Sequence, residues 1–284
     1  MFDVIRSNPF TAPRIDRYGV NAMRDVVESL SFPRVFGTNN NRKAMSLVAK
    51  EFKKIFGELP EQIGDTNNVI MGNADTAEII VGAHYDSVPG TPGADDNASA
   101  LAVMFRIAAN IHAGDKVCFV AFNGEELGLL GSKEFVSDGE FGELKQVHIL
   151  EMVGYRSHEP NSQKNPLGSL VPDFPTIGDF IGAVTLTPSL MDSVKKHANS
   201  IEVPVIGLSV PFGVKEIAKV APHLLRSDHA PFWEANYPAI MWTDTAEFRN
   251  PNYHQSTDTP DTLDYDYMAA VGDIIIEIIK GSRQ

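Results

Sequence analysis

Apolar residues recur at helical spacing from Val20 to Phe56, as in Leu47, Val48, Phe52, Ile55 and Phe56, with the polar stretch Ser31 to Asn41 dividing the run. Two helices are expected there, without evident chemistry. The pattern then shortens. Asn68 to Met71 and Glu78 to Ala83 read as strands, and Ala98 to Ile111 as a helix capped at its start by Asp96 or Asn97. Lys116 to Phe122 and Gln146 to Met152 read as further strands, with a short helix near Ser132 to Val136 between them. This alternation predicts an α/β fold with its sheet covered on both faces. From Tyr155 to Ala183 the texture changes to four prolines, several glycines and scattered polar residues. Such a segment suits a substrate wall and a plain surface excursion equally well. Regular structure is expected again as a helix from Pro188 to Asn199, a strand from Val203 to Leu208, a helix around Pro231 to Ala235 and a strand from Ala239 to Thr243. A last helix runs from about Asp264 to Lys280, with Ile274, Ile275, Ile276, Ile278 and Ile279 forming a broad apolar face. Without a repeat, low-complexity tract or linker, residues 1–284 read as one domain.

Composition narrows the function. The 24 basic and 37 acidic residues leave a net charge of −13, which argues against nucleic-acid or membrane partners and suits cationic ligands. Cys118 is the single cysteine, lies in a strand pattern, and reads as a small core residue. The first residues lack an apolar signal segment and no run reaches bilayer length. A cytoplasmic protein is expected, or a secreted one whose leader has been removed.

The candidate chemistry gathers at strand ends. His84 and Asp86 stand two residues apart where a strand finishes, so they share a face and the aspartate can steady the ring. A turn rich in glycine and proline follows, and Asp95, eleven residues after His84, can swing back toward the same cation. The third strand ends in Asn123-Gly-Glu-Glu-Leu-Gly128, where adjacent glutamates point different ways, one toward a metal and one toward substrate. Glu151 ends the fourth strand, and His254 arrives late on a loop beside Tyr253. Two histidines with three carboxylates suit zinc, and one shared carboxylate holds two such ions about 3.5–4 Å apart. Singly, Glu126 and Glu151 also read as surface acids and His254 as a loop histidine satisfied by Asp258. His112, His148, His158, His197 and His223 lack ligand spacing and are set aside.

The His84-Tyr-Asp86 pair, Gly93-Ala-Asp-Asp-Asn-Ala-Ser99, Gly124-Glu-Glu-Leu-Gly128, Ser227-Asp-His229 and the Tyr253-His254 loop running to Leu263 resemble, in order and spacing, the bacterial double-zinc aminopeptidases. That clan also holds glutamate carboxypeptidases and animal glutaminyl cyclases. The resemblance implies a three-layer α/β/α sandwich on a mixed, mostly parallel sheet, and an exopeptidase acting on peptides with a free amino end. It further implies that Asp95 bridges two zinc ions, with His84 and Glu151 completing one site and Glu126 and His254 the other. Glu125 would be the general base, Asp86 the partner of His84, Asp228 an acid near the base, and the Asp95–Asp96 bond cis. The family often has aspartate where Glu151 stands, which leaves the occupancy of the His84 site open. No tyrosine lies between Tyr155 and Tyr237, so Tyr253 is the candidate for the family's oxyanion-binding tyrosine. Alternatives are a carboxypeptidase, which would want Arg156 and Arg226 brought together, a one-zinc glutaminyl cyclase, or a catalytically silent scaffold.

Overall fold

The computed structural model describes residues 3–6, 17–111, 116–200 and 202–282. Its centre is a sheet of β1 (Asp3–Arg6), β2 (Glu61–Ile63), β3 (Asn68–Met71), β4 (Ile79–His84), β5 (Val117–Phe122), β6 (Gln146–Glu151), β7 (Ile181–Thr185), β8 (Val205–Ser209) and β9 (Ala239–Thr243). They lie in the order β1-β8-β7-β9-β6-β4-β5-β3-β2. The middle four, β9, β6, β4 and β5, are mutually parallel. Antiparallel pairing begins on either side, where β7 meets β9 and β3 meets β5. The sheet is thus mixed as expected, with its parallel character concentrated at the centre.

Strand periodicity divides the core into two layers. Ile79, Val81 and Ala83 of β4 face one layer with Phe119, Ala121 and Trp242. That layer is closed by α1 (Val20–Leu30), α2 (Asn39–Phe56), α3 (Ala100–Asn110), α5 (Pro188–His197) and α8 (Tyr265–Gly281). Ile80, Cys118, Val120, Phe122 and Met241 face the other. There α4 (Leu130–Asp138), α6 (Val214–Val220) and α7 (His229–Glu234) supply Phe135, Ile217 and Phe232. The expected three-layer α/β/α sandwich is the one observed, and Cys118 is a buried free thiol within it. Among the described residues no helix is long and apolar enough to cross a membrane.

Two local expectations are corrected. Asp96 and Asn97 do not cap α3, because residues Ala94–Ser99 form a distorted wide turn ahead of it. Asn97 instead donates to Leu150 O at 3.0 Å and accepts from Met152 N at 2.9 Å, tying this turn to the end of β6. The segment 155–183 also holds more order than its texture predicts, since β7 starts at Ile181; β2 and α6 were likewise not foreseen.

Close packing at the central strand is testable at Gly82. An added Cβ there meets Phe122 Cε2 at 2.5 Å and Ile149 Cδ1 at 3.0 Å. Gly82→Ala is expected to cost about 1–3 kcal/mol in urea unfolding, the usual range for overpacking. Unchanged stability would show that the Phe122 layer yields.

Candidate active site

The parallel strands deliver their last residues to one edge of the sheet. His84 ends β4 opposite Phe122, and Glu151 ends β6 opposite Thr243. Beyond β5 the chain reverses at Gly124, whose φ of 78° is open to glycine, and enters the short turn Glu125–Leu127. His254 comes from the loop after β9 and has a left-handed φ of 58°. In an open α/β sheet this carboxyl edge is where ligands bind.

At the centre stands Asp96. Its Oδ1 lies 3.3 Å from His84 Nε2 and its Oδ2 lies 3.1 Å from His254 Nε2. Glu151 Oε2 is 3.6 Å from the same His84 nitrogen, and Glu126 Oε2 is 3.3 Å from the same His254 nitrogen. Two triads with a metal-binding donor set result, His84–Asp96–Glu151 and Asp96–Glu126–His254, with Asp96 common to both. Glu125 is 4.0 Å from His84 Nε2 and only 9% exposed.

Asp95, expected as the bridging residue, is not part of either triad. Its Oδ1 accepts from Gly154 N at 2.8 Å and its Oδ2 from Asn250 Nδ2 at 2.6 Å, which turns the carboxylate toward the loops after β6 and β9. The cis bond likewise falls one residue later than expected, at Asp96–Asn97. Two adjacent aspartates are alike in type, and sequence alone gave no means of choosing between them.

Other side chains hold this arrangement. Asp86 lies 3.4 Å from His84 Nδ1 and accepts from the backbone N–H groups of Glu125 and Glu126 at 3.2 and 3.3 Å, so it orients the ring and the glutamate turn together. Ser227 donates to Glu151 Oε2 at 2.6 Å. Asp258 accepts from the N–H groups of Asp95 and Asp96 at 2.8 and 3.2 Å. Asp228 precedes α7 and makes no capping bond; its carboxylate is fully buried, in the fields of His84, Glu151 and Asp86.

The electrostatics of this edge call for a cation. Every Asp or Glu buried among the described residues lies here: Asp86, Asp95, Asp96, Glu125, Asp228, Asp244 and Asp258. Burial pushes Glu126, Asp228 and Asp258 up to about 7, and pushes Glu125 well above the ordinary carboxylate range. Burial opposes charge on His254, yet Asp96 and Glu126 beside it outweigh that and raise it to about 10. His84 Nε2, Asp96 Oδ1 and Glu126 Oε1 are buried without hydrogen-bond partners. Orphaned nitrogen and carboxylate donors converging in this way fit a hard or borderline divalent ion.

A cavity of about 450 Å³ opens from the triads. Glu125, Glu126, Glu151 and His254 form its charged end, and Leu167, Phe174, Phe180, Ile206, Leu208 and Met241 line it over β7, β8 and β9. The segment 155–183 therefore contributes a cavity wall. Tyr253 lines the cavity too, its ring stacked on His254 with centroids 3.8 Å apart. Of the histidines set aside, His223 also lines the cavity, packed on the Phe248 ring, whereas His148 is buried between Gln146 and Trp242. His112 lies outside the described residues.

A pH dependence follows. Groups raised on folding stabilise the protein below their unfolded pKa and lose that contribution as pH rises through the folded value. For Glu126, Asp228 and Asp258 the window runs from about 4 to about 7, and for His254 from about 6.5 to about 10. The buried neutral His148 and His229, lowered to about 3 and about 4, oppose this up to about pH 6.5, so with chelator present Tm should fall between about pH 6.5 and about pH 9. A level or rising Tm by calorimetry would contradict it.

Residues 68–279 match the description Peptidase family M28. The chain is 34% identical over 246 residues to the uncharacterized protein YfbL of Escherichia coli (strain K12), covering 80% of this chain and 74% of that one. It is 44% identical over 82 residues to aminopeptidase YwaD of Bacillus subtilis (strain 168), 27% of this chain and 18% of that protein. It also superimposes on BSAP, a zinc aminopeptidase from Bacillus subtilis, with a TM-score of 0.52 and 26% identity, covering 76% of this chain and 49% of that one. The chain thus spans less than half of both aminopeptidases. The length of the family match, the identity to YfbL and the shared fold place this chain in peptidase family M28.

Proposed function

We propose that the protein is a zinc-dependent aminopeptidase that hydrolyses the N-terminal bond of peptides. The observation that carries this reading is Asp96, whose two oxygens face His84 and His254 while Glu125 lines the same cavity as Asp96 and His254. His84, Asp96 and Glu151 would hold one ion, and Asp96, Glu126 and His254 the other. When bound, a zinc pair supplies a water of lowered pKa and polarises the scissile carbonyl.

The chain's own residues do the rest. Glu125, nearly dry and ringed by Glu126, Glu151 and Asp228, is a stronger base than a free glutamate; it accepts the proton of the attacking water and passes it to the leaving amine. Tyr253 donates to the oxygen on which charge develops. Acidic groups at the charged end of the cavity receive the substrate ammonium, and the apolar wall accepts its side chain. The carboxypeptidase alternative is less well supported, because the arginines are not clustered at the cavity. Arg156 is bound to Asp264, Arg226 to Glu247, and Arg249 to Gln163 and Phe180 O. Arg283 lies outside the described residues.

The test is a zinc titration of chelator-stripped protein with a leucyl anilide and its N-acetylated counterpart. Turnover of the free amine alone, rising to two zinc equivalents, is expected; a plateau at one would leave Glu151 without a ligand's role, and no turnover would end the aminopeptidase reading. Glu125→Gln should keep its zinc and lose roughly two or more powers of ten in kcat. Tyr253→Phe should lose about 10²-fold in kcat with little change in KM, the scale of one oxyanion donor. An unaltered kcat would remove Tyr253 from the reaction.

A further inference from the structure

Among the fully buried side chains are two arginines, Arg34 and Arg106, and they are bonded in different ways. Arg106 has an acid partner, donating from Nε and Nη2 to Asp273 Oδ1 at 2.9 and 2.7 Å. All the acceptors of the Arg34 guanidinium are main-chain carbonyls. Nε donates to Tyr85 O at 2.8 Å, Nη1 to Leu30 O at 2.8 Å and Pro92 O at 2.7 Å, and Nη2 to Gly93 O at 2.8 Å with a longer contact to Asp96 O at 3.4 Å. Burying a cation with no ionic partner in contact is costly. The anions whose fields favour its charge, Asp96, Asp258, Asp86 and Glu126, belong to the active site.

We infer that Arg34 is a positioning residue for the metal centre, its guanidinium curling residues 92–96 so that Asp96 presents one oxygen to each histidine. The inference rests on the assignment of Asp96 as the shared metal ligand. Three carbonyls of one short loop, those of Pro92, Gly93 and Asp96, converge on a single guanidinium. Only a planar fork with five donors serves acceptors spread in this way; an ammonium offers three donors from one point. The same group binds the carbonyl of Tyr85, next to His84, so it fixes both sides of the His84–Asp96 pair. Its main chain extends the link. Arg34 N donates to Ser87 Oγ at 3.1 Å, and Asn41 Nδ2 donates to Arg34 O at 3.1 Å and to Asn123 Oδ1 at 2.8 Å, two residues before Glu125. Gly93 completes the fit. Its φ is 65°, and an added Cβ would lie 2.5 Å from Asp96 O and 2.7 Å from Arg34 Nη1, wedged between clamp and loop.

The experiment measures zinc binding to chelator-stripped protein by equilibrium dialysis, together with the visible spectrum of the cobalt(II)-substituted protein. Arg34→Met and Arg34→Lys should each weaken zinc binding roughly 10–100-fold, the range seen when groups behind metal ligands are lost, and should alter the cobalt spectrum. Arg106→Met, which removes a buried arginine whose partners, Asp273 and the carbonyls of Arg17 and Tyr18, lie outside the triads, should lower Tm but leave zinc affinity and the cobalt spectrum as in the parent. Parent-like zinc binding by Arg34→Met, full rescue by Arg34→Lys, or an equal loss in Arg106→Met would each overturn the inference. Should the Arg34 variants not fold, Gly93→Ala keeps the arginine and displaces the loop; at least a 10-fold loss of zinc affinity supports the clamp, and parent-like affinity overturns it. If the parent itself takes up no zinc, the metal reading fails together with this one.

Discussion

Unbalanced negative charge at one edge of the sheet is the constraint on which the rest of this structure depends. The buried aspartates and Glu125 sit where water cannot screen them, and the fold answers with main-chain N–H donors, a buried guanidinium and two histidines. Asp86 and Asp258 each accept two backbone N–H groups, so the carboxylates also set the path of the loops. What the protein leaves unpaired is as telling as what it pairs. The orphaned atoms of His84, Asp96 and Glu126 belong to the two triads that share Asp96, an arrangement that native proteins retain where a ligand supplies the missing partner.

The sheet makes this concentration of charge feasible. Parallel strands β9, β6, β4 and β5 end together, so residues distant in sequence arrive within a few ångströms of one another. Apolar layers on both faces, from Trp242 and Phe105 on one side to Phe122 and Phe232 on the other, hold the strand ends rigid. Preorganisation of this kind is what allows a peptidase to apply electrostatic stabilisation without rearranging its own dipoles.

Much of this was legible in the chain because strand ends carry their chemistry openly. His84, Glu125, Glu126 and Glu151 each follow a β-patterned run, and His254 lies in a loop whose order and spacing match a family. Asp95 and Asp96 were not separable, because the choice depends on a backbone turn between Gly93 and Ser99 rather than on residue type. Ser227 and Asn250 were silent for a related reason: a hydroxyl or an amide acquires its role from the carboxylate it meets, here Glu151 and Asp95. β7 is not legible in sequence because Ile-Gly-Ala-Val-Thr, trailing a proline-rich stretch, is short and weakly alternating. His223 had no partner in sequence and reaches the cavity only through the turn preceding α7.

The cavity divides its labour by strand. Its charged end comes from the chain just beyond β5, the end of β6 and the loop after β9, whereas its apolar wall is built on β7, β8, β9 and the stretch around Leu167 and Phe174. A change of Ile206, Leu208 or Phe174 reshapes the space for a side chain without touching a carboxylate. Descendants of such a scaffold are free to exchange diets while keeping one set of teeth.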